Sequence, residues 1–153
     1  MATFASEVKG QMAAPPAEVF ALLTDAARLP EWNARIIRVV DVPPQLVVGA
    51  EWVVRLRVLG SEWNSRSVAQ TVDPGARVFA HRTQTDDGNP SYALWTWQVG
   101  ERNGGAEVTV RWDINPKTFW RRRLFAHIRH RQLQKEVRRS LAAADRLLAA
   151  EVA

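Results

Sequence analysis

Residues 120–150, WRRRLFAHIRHRQLQKEVRRSLAAADRLLAA, decide how the rest of the chain is read. No Gly or Pro interrupts the run, and its pattern predicts one long helix over Asn115–Ala150, beginning after Pro116. Leu133, Val137, Leu141, Ala144 and Leu148 recur at steps of four, four, three and four, one stripe of a helical period. Arg131, Lys135, Arg138 and Arg139 fall on the opposite side, as in a helix lying on a core with a basic back in water. The first turns are out of phase. Trp120, Leu124 and Ile128 form their own stripe, pointing about 150° away from the later one. Two accounts are open: a bend or break near residues 128–132 that returns the early stripe to the core, or a first half that faces something else.

Upstream of this helix the period is two. Arg35–Val42 reads as a strand ended by Pro43-Pro44. After Gly49 comes a strand with Trp52, Val54, Leu56 and Val58 on one face and Arg55 and Arg57 on the other. Glu62–Val72, Arg77–Thr85 and Ser91–Val99 follow, then a strand in which Val108, Val110, Trp112 and Ile114 alternate with Glu107, Thr109, Arg111 and Asp113. Turn chemistry separates them at Gly60-Ser61, Asp73-Pro74-Gly75, Asp87-Gly88-Asn89-Pro90 and Asn103-Gly104-Gly105. Strands joined by such short turns pair antiparallel. Ahead of them lie a first strand at Thr3–Met12, a helix opened by Pro15-Pro16, and a short helical turn at Leu29–Asn33. The first of these helices has no Ser, Thr, Asp or Asn at its N-cap, so packing of Val19, Phe20 and Leu23 must hold it. The expected class is α+β: one antiparallel sheet with an apolar face and one long helix to cover it. A sheet curved round a single helix leaves space, and large inward rings would line it.

The totals set the outer limits. A chain of 153 residues is read as one domain over 1–153. Without cysteine, disulfides, thiolate metal sites and cysteine nucleophiles are excluded. The N-terminus lacks a basic, apolar leader, and no run approaches a membrane span, so the expected location is cytoplasmic. Residues 117–139 carry nine Lys or Arg against one acid, Glu136, which puts more than the whole net charge of +5 in that segment. Such a face is ordinarily solvated, and it is also able to make a weak contact with an anionic membrane. Nucleic acid is not the expected partner, because the aromatics sit on apolar strand faces while the basic charge sits on the helix.

Several stretches resemble a known superfamily. Pro16-Ala17-Glu18-Val19-Phe20, then Leu29-Pro30-Glu31-Trp32, is similar to the opening of START-like (SRPBCC) helix-grip proteins, nearest to their polyketide cyclase/dehydrase-type group. Gly49 before a strand, Asp73-Pro74 between strands, and the late Ser140, Leu141 and Leu147 of the helix match as well. The resemblance implies a helix-grip fold, a seven-stranded antiparallel sheet around a C-terminal helix. It also implies an apolar cavity for a lipid, polyketide, steroid or hormone-like ligand. Some members of the group catalyse cyclisation or dehydration, and many only bind.

A search for chemistry yields little. There is no G-x-S-x-G and no phosphate loop, and His127 and His130 stand among arginines that oppose a metal ion. No metal or other cofactor is expected. His81 shares a strand face with Phe79 and Thr83, which makes it the one candidate acid or base, with Ser65, Ser67 and Thr83 as further polar groups. A core histidine satisfied by a neighbour, or a surface one, is the plainer reading. The expected cavity wall is Trp52, Val54, Leu56, Trp63, Phe79, His81, Trp95, Trp97, Val110 and Trp112. Trp32 is expected to close the helix end over the sheet. Trp120, Arg121, Arg122 and Arg123 would stand at the entrance, able to meet a ligand carboxylate or lipid headgroups. A hydrophobic-ligand binder is the leading reading, with a cyclase or dehydrase using His81 as the alternative and a partner- or membrane-binding helix face as a third.

Overall fold

The computed structural model describes residues 4–86, 91–115 and 126–152. Among these, seven strands form one sheet: β1 (Phe4–Met12), β2 (Ile36–Asp41), β3 (Glu51–Val58), β4 (Ser61–Asp73), β5 (Val78–Thr85), β6 (Tyr92–Arg102) and β7 (Gly105–Asn115). Their spatial order is β1-β7-β6-β5-β4-β3-β2. Neighbouring strands pair antiparallel throughout, so β2 to β7 form a meander and β1 returns to flank β7. The helices are α1 (Pro16–Leu23), α2 (Leu29–Trp32), which follows a 3-10 turn at Ala26–Arg28, and α3 (Ala126–Val152). This is the helix-grip α+β architecture.

Local chemistry accounts for the elements. The β3–β4 hairpin turns on Leu59 and Gly60, with φ of 52° and 81°, and the β6–β7 hairpin on Asn103 and Gly104, with φ of 51° and 81°. Two successive residues of positive φ give a loop whose twist matches that of the strands it joins. α1 starts at Pro16 without any side-chain cap and buries Val19, Phe20, Leu22 and Leu23 instead.

α3 shows its later stripe buried as spaced, from Leu133 to Leu148. Arg131, Lys135, Arg138 and Arg139 are exposed along its back. The helix packs chiefly on β1, where a Cβ on Gly10 would come within 2.9 Å of the Leu141 side chain. Polar groups fix its rotation. The Ser140 hydroxyl accepts the Ala34 N–H at 3.1 Å, the Asp145 carboxylate accepts the Ala13 N–H at 3.0 Å, and Gln134 Nε2 donates to Ser6 Oγ at 2.8 Å.

The helix differs from expectation at its start. Asn115 is the last residue of β7 rather than helical, because its alternation continues the strand. No break interrupts α3 over residues 128–132. Leu124 and the turn Asp87-Gly88-Asn89-Pro90 lie outside the described residues, as do the side chains of His127, Ile128 and His130.

Candidate ligand-binding site

The inward face of β4 decides where space is left. It presents Trp63, Ser65, Ser67 and Ala69, with both serines buried. In register, Ser67 stands opposite Trp52 of β3 and Thr83 of β5, and Ser65 opposite Val54 and Thr85. Short side chains at the middle of a curved sheet leave a volume that the long ones around them cannot fill. The result is a cavity of about 770 Å³, within the usual range for small-molecule sites. Apolar atoms make most of its wall. Trp52, Val54, Leu56, Trp63, Phe79, His81, Trp95 and Trp97 all stand on that wall, with Leu133 contributed by α3.

The aromatic rings hold one another. Trp97 meets Trp32 edge to face at 5.8 Å and stacks on Trp95 at 6.0 Å. His81 lies 5.3 Å from Trp52, 5.1 Å from Phe79 and 6.4 Å from Trp95 between ring centroids. Beside them the Arg35 guanidinium sits 5.3 Å from the Trp95 ring centroid, with its Nε 3.4 Å from the Glu136 carboxylate. A cation over an indole face is attracted by the ring quadrupole, and the acid from α3 offsets its charge.

Both nitrogens of His81 are engaged. The Trp97 indole, which can only donate, gives its N–H to Nε2 at 3.1 Å. The ring proton is therefore on Nδ1, 3.0 Å from Thr83 Oγ1, and Thr83 Oγ1 is in turn 2.8 Å from Ser67 Oγ. By surface area the imidazole is only half-buried, but the surface it keeps is cavity wall, so protein encloses it. Desolvation, and secondly the positive charge of Arg35, push its pKa down to about 3. The ring is neutral at ordinary pH.

With this geometry the relatives can be placed. The family described as polyketide cyclase / dehydrase and lipid transport matches residues 1–149. The chain belongs to that family. Among solved structures, that of Ara h 8.0201 is similar over 97% of this chain and 99% of its own, at 14% identity and a TM-score of 0.76. Protein CV1439 from Chromobacterium violaceum covers 94% of this chain and 95% of its own at 17% identity, TM-score 0.74. TTHA0849 from Thermus thermophilus covers 96% and 99%, also at 17% identity and a TM-score of 0.74. At such identities these likenesses speak for the fold. No curated protein matches the chain. For this member of the polyketide cyclase / dehydrase and lipid transport family, family and fold together support hydrophobic-ligand binding in general terms.

Two residues expected on the wall are not there. Val110 and Trp112 of β7 are enclosed in the packed interior, away from the cavity. Their parity is that of Trp95 and Trp97, but β7 runs beside β1, on the side where α3 covers the sheet. Trp112 stacks on Trp95 at 5.3 Å and so supports a wall ring without being one. Its indole N–H has no hydrogen-bond partner among the described residues. Conversely, Arg35, Trp32 and Tyr92 line the cavity without having been expected to. A signal for Arg35 was present: Glu136 is the single acid in a strongly basic stretch, as a helix residue with an internal cation for partner would be. The entrance residues Trp120, Arg121, Arg122 and Arg123 lie outside the described residues. Among those described, no group of three His, Asp or Glu could hold a metal ion, and no helix is long and apolar enough to cross a membrane.

Proposed function

We propose that the chain binds one small, flat, apolar molecule, such as a lipid, polyketide or aromatic metabolite, between the sheet and α3. The observation that carries this reading is the aromatic-walled cavity of about 770 Å³. Indole and phenyl faces give a planar ligand large apolar contact and cost little side-chain entropy, because rings packed on one another are already fixed. A cyclase would need a group that exchanges protons with its substrate. His81, the candidate for that work, has its lone pair taken by Trp97 and its proton directed to Thr83. Binding is therefore the reading the geometry favours.

Native mass spectrometry of the chain as purified, and after incubation with flat apolar compounds, tests it. The expected result is a one-to-one adduct accompanied by a change in tryptophan fluorescence. Ala93→Phe, which places a ring in the cavity from a half-buried wall position, should abolish the adduct while the fold persists. A chain that takes up none of the compounds, with unchanged fluorescence, sinks the reading.

A further inference from the structure

The hydrogen-bond chain through His81 carries one proton more than it has bonds, and the bearing of that proton on a ligand rests on the binding reading above. Trp97 N–H, His81 Nδ1–H and the hydroxyls of Thr83 and Ser67 supply four protons to three hydrogen bonds. The indole cannot accept, which fixes the direction at one end. At the other, either hydroxyl can be the donor in the Ser67–Thr83 contact. The count is the same both ways: one hydroxyl proton of the pair is left over. Every acceptor atom in the chain already has at least one bond. What is missing is an acceptor.

Ser65 is different, since its hydroxyl donates to the Gln84 carbonyl at 3.3 Å. Ser67 and Thr83 both stand on the cavity wall, and Ser67 is 3% exposed. An unmet donor so enclosed is costly, more so than a second empty lone pair on an oxygen already bonded. Water can meet the proton while the cavity is empty, and a ligand that displaces that water must replace its bond.

We propose that the Ser67–Thr83 hydroxyl pair is a donor subsite that orients the ligand by a carbonyl or quinone-type oxygen, and that His81 is a positioning residue which imposes that polarity. The subsite discriminates between ligands of one shape that differ only in such an oxygen. Burial that keeps the imidazole neutral is consistent with this, because an imidazolium would donate from both nitrogens and the Trp97 N–H would lose its acceptor.

Fluorene and 9-fluorenone are a suitable pair of probes, flat tricycles alike but for one carbonyl. Titrated into the full chain by tryptophan fluorescence, 9-fluorenone should bind about fivefold more tightly, the worth of one net hydrogen bond. Ser67→Ala with Thr83→Val should bring the two affinities together and leave that for fluorene in place. Ser67→Ala alone should remove only part of the preference, because Thr83 is then freed to donate. Independently of any variant, the infrared carbonyl stretch of bound 9-fluorenone should lie below its value in hexane. Equal affinities in the wild type, a preference that survives in a folded double variant, or an unshifted carbonyl would each overturn the subsite and leave the cavity reading standing. Failure of both probes to bind would overturn the cavity reading and the subsite with it.

Discussion

At β1 the long helix lies directly on the sheet, with the inward side chains of neighbouring β7 buried beside it, whereas in front of β3 to β5 the same inward alternation encloses a cavity. On the first side the inward residues Val8, Val108, Val110 and Trp112 are all buried, and Gly10 brings α3 against the strand. On the second, Trp52 stands opposite the much smaller Ser67, and the rings of Trp95 and His81 stand opposite each other on β6 and β5. Close approach of α3 at Gly10 lets the first side fill, whereas large rings flanking the short serines of β4 leave the second side hollow. The period-two pattern is common to both halves, so it is side-chain volume that divides the molecule into a packed part and a hollow one.

The largest effect should separate those parts through two tryptophans. Trp112→Ala, in the packed half, should cost about 3–5 kcal/mol in denaturant unfolding. Trp63→Ala, on a half-buried wall position, should cost less than about 2 kcal/mol and weaken ligand binding instead. Equal costs would mean that the division is not real.

Gly10 tests the contact on the closed side. Gly10→Ala pushes a methyl towards Leu141 and should destabilise by about 1–3 kcal/mol. In a Leu141→Ala background the offending Cδ1 is gone. The second cost should then shrink, with a coupling of at least about 0.5 kcal/mol between the two sites. Strict additivity would place the strain elsewhere.

On the open side, His81 should make stability sensitive to acid. Its folded pKa, about 3, lies below the ordinary 6.5, so the unfolded chain binds more protons between those values. Stability from this group is complete above about pH 6.5 and is lost as pH falls towards 3. At pH 5.5 the wild type should have lost about 1 kcal/mol more than His81→Asn, each variant compared with itself at pH 7. Parallel pH profiles would show that the imidazole is not enclosed.

The smallest effect belongs to the exposed back of α3. Lys135→Ala or Arg138→Ala should change unfolding free energy by less than about 0.5 kcal/mol, since neither side chain is buried. A larger loss would mean that the helix is held by more than its apolar stripe.

The sequence by itself determined the elements and their order. Alternation in β3 and β5 to β7, the Asn103-Gly104 turn and the spacing from Leu133 to Leu148 are local facts, and local periodicity states which face of an element is apolar. It also placed His81, Trp95 and Trp97 on one side of the sheet. It did not say which face of β4 turns inward, because Ser65 and Ser67 are neither clearly apolar nor charged, and the strand's neighbours settle the matter through register. Nor did it separate Trp112 from Trp95, alike in type and parity, since only the position of α3 decides which strand is covered. The pairing of Arg35 with Glu136 joins positions far apart in the chain, and that of Trp97 with His81 joins two neighbouring strands diagonally. Such contacts form where the folded backbone brings two side chains together, and no local pattern encodes that meeting.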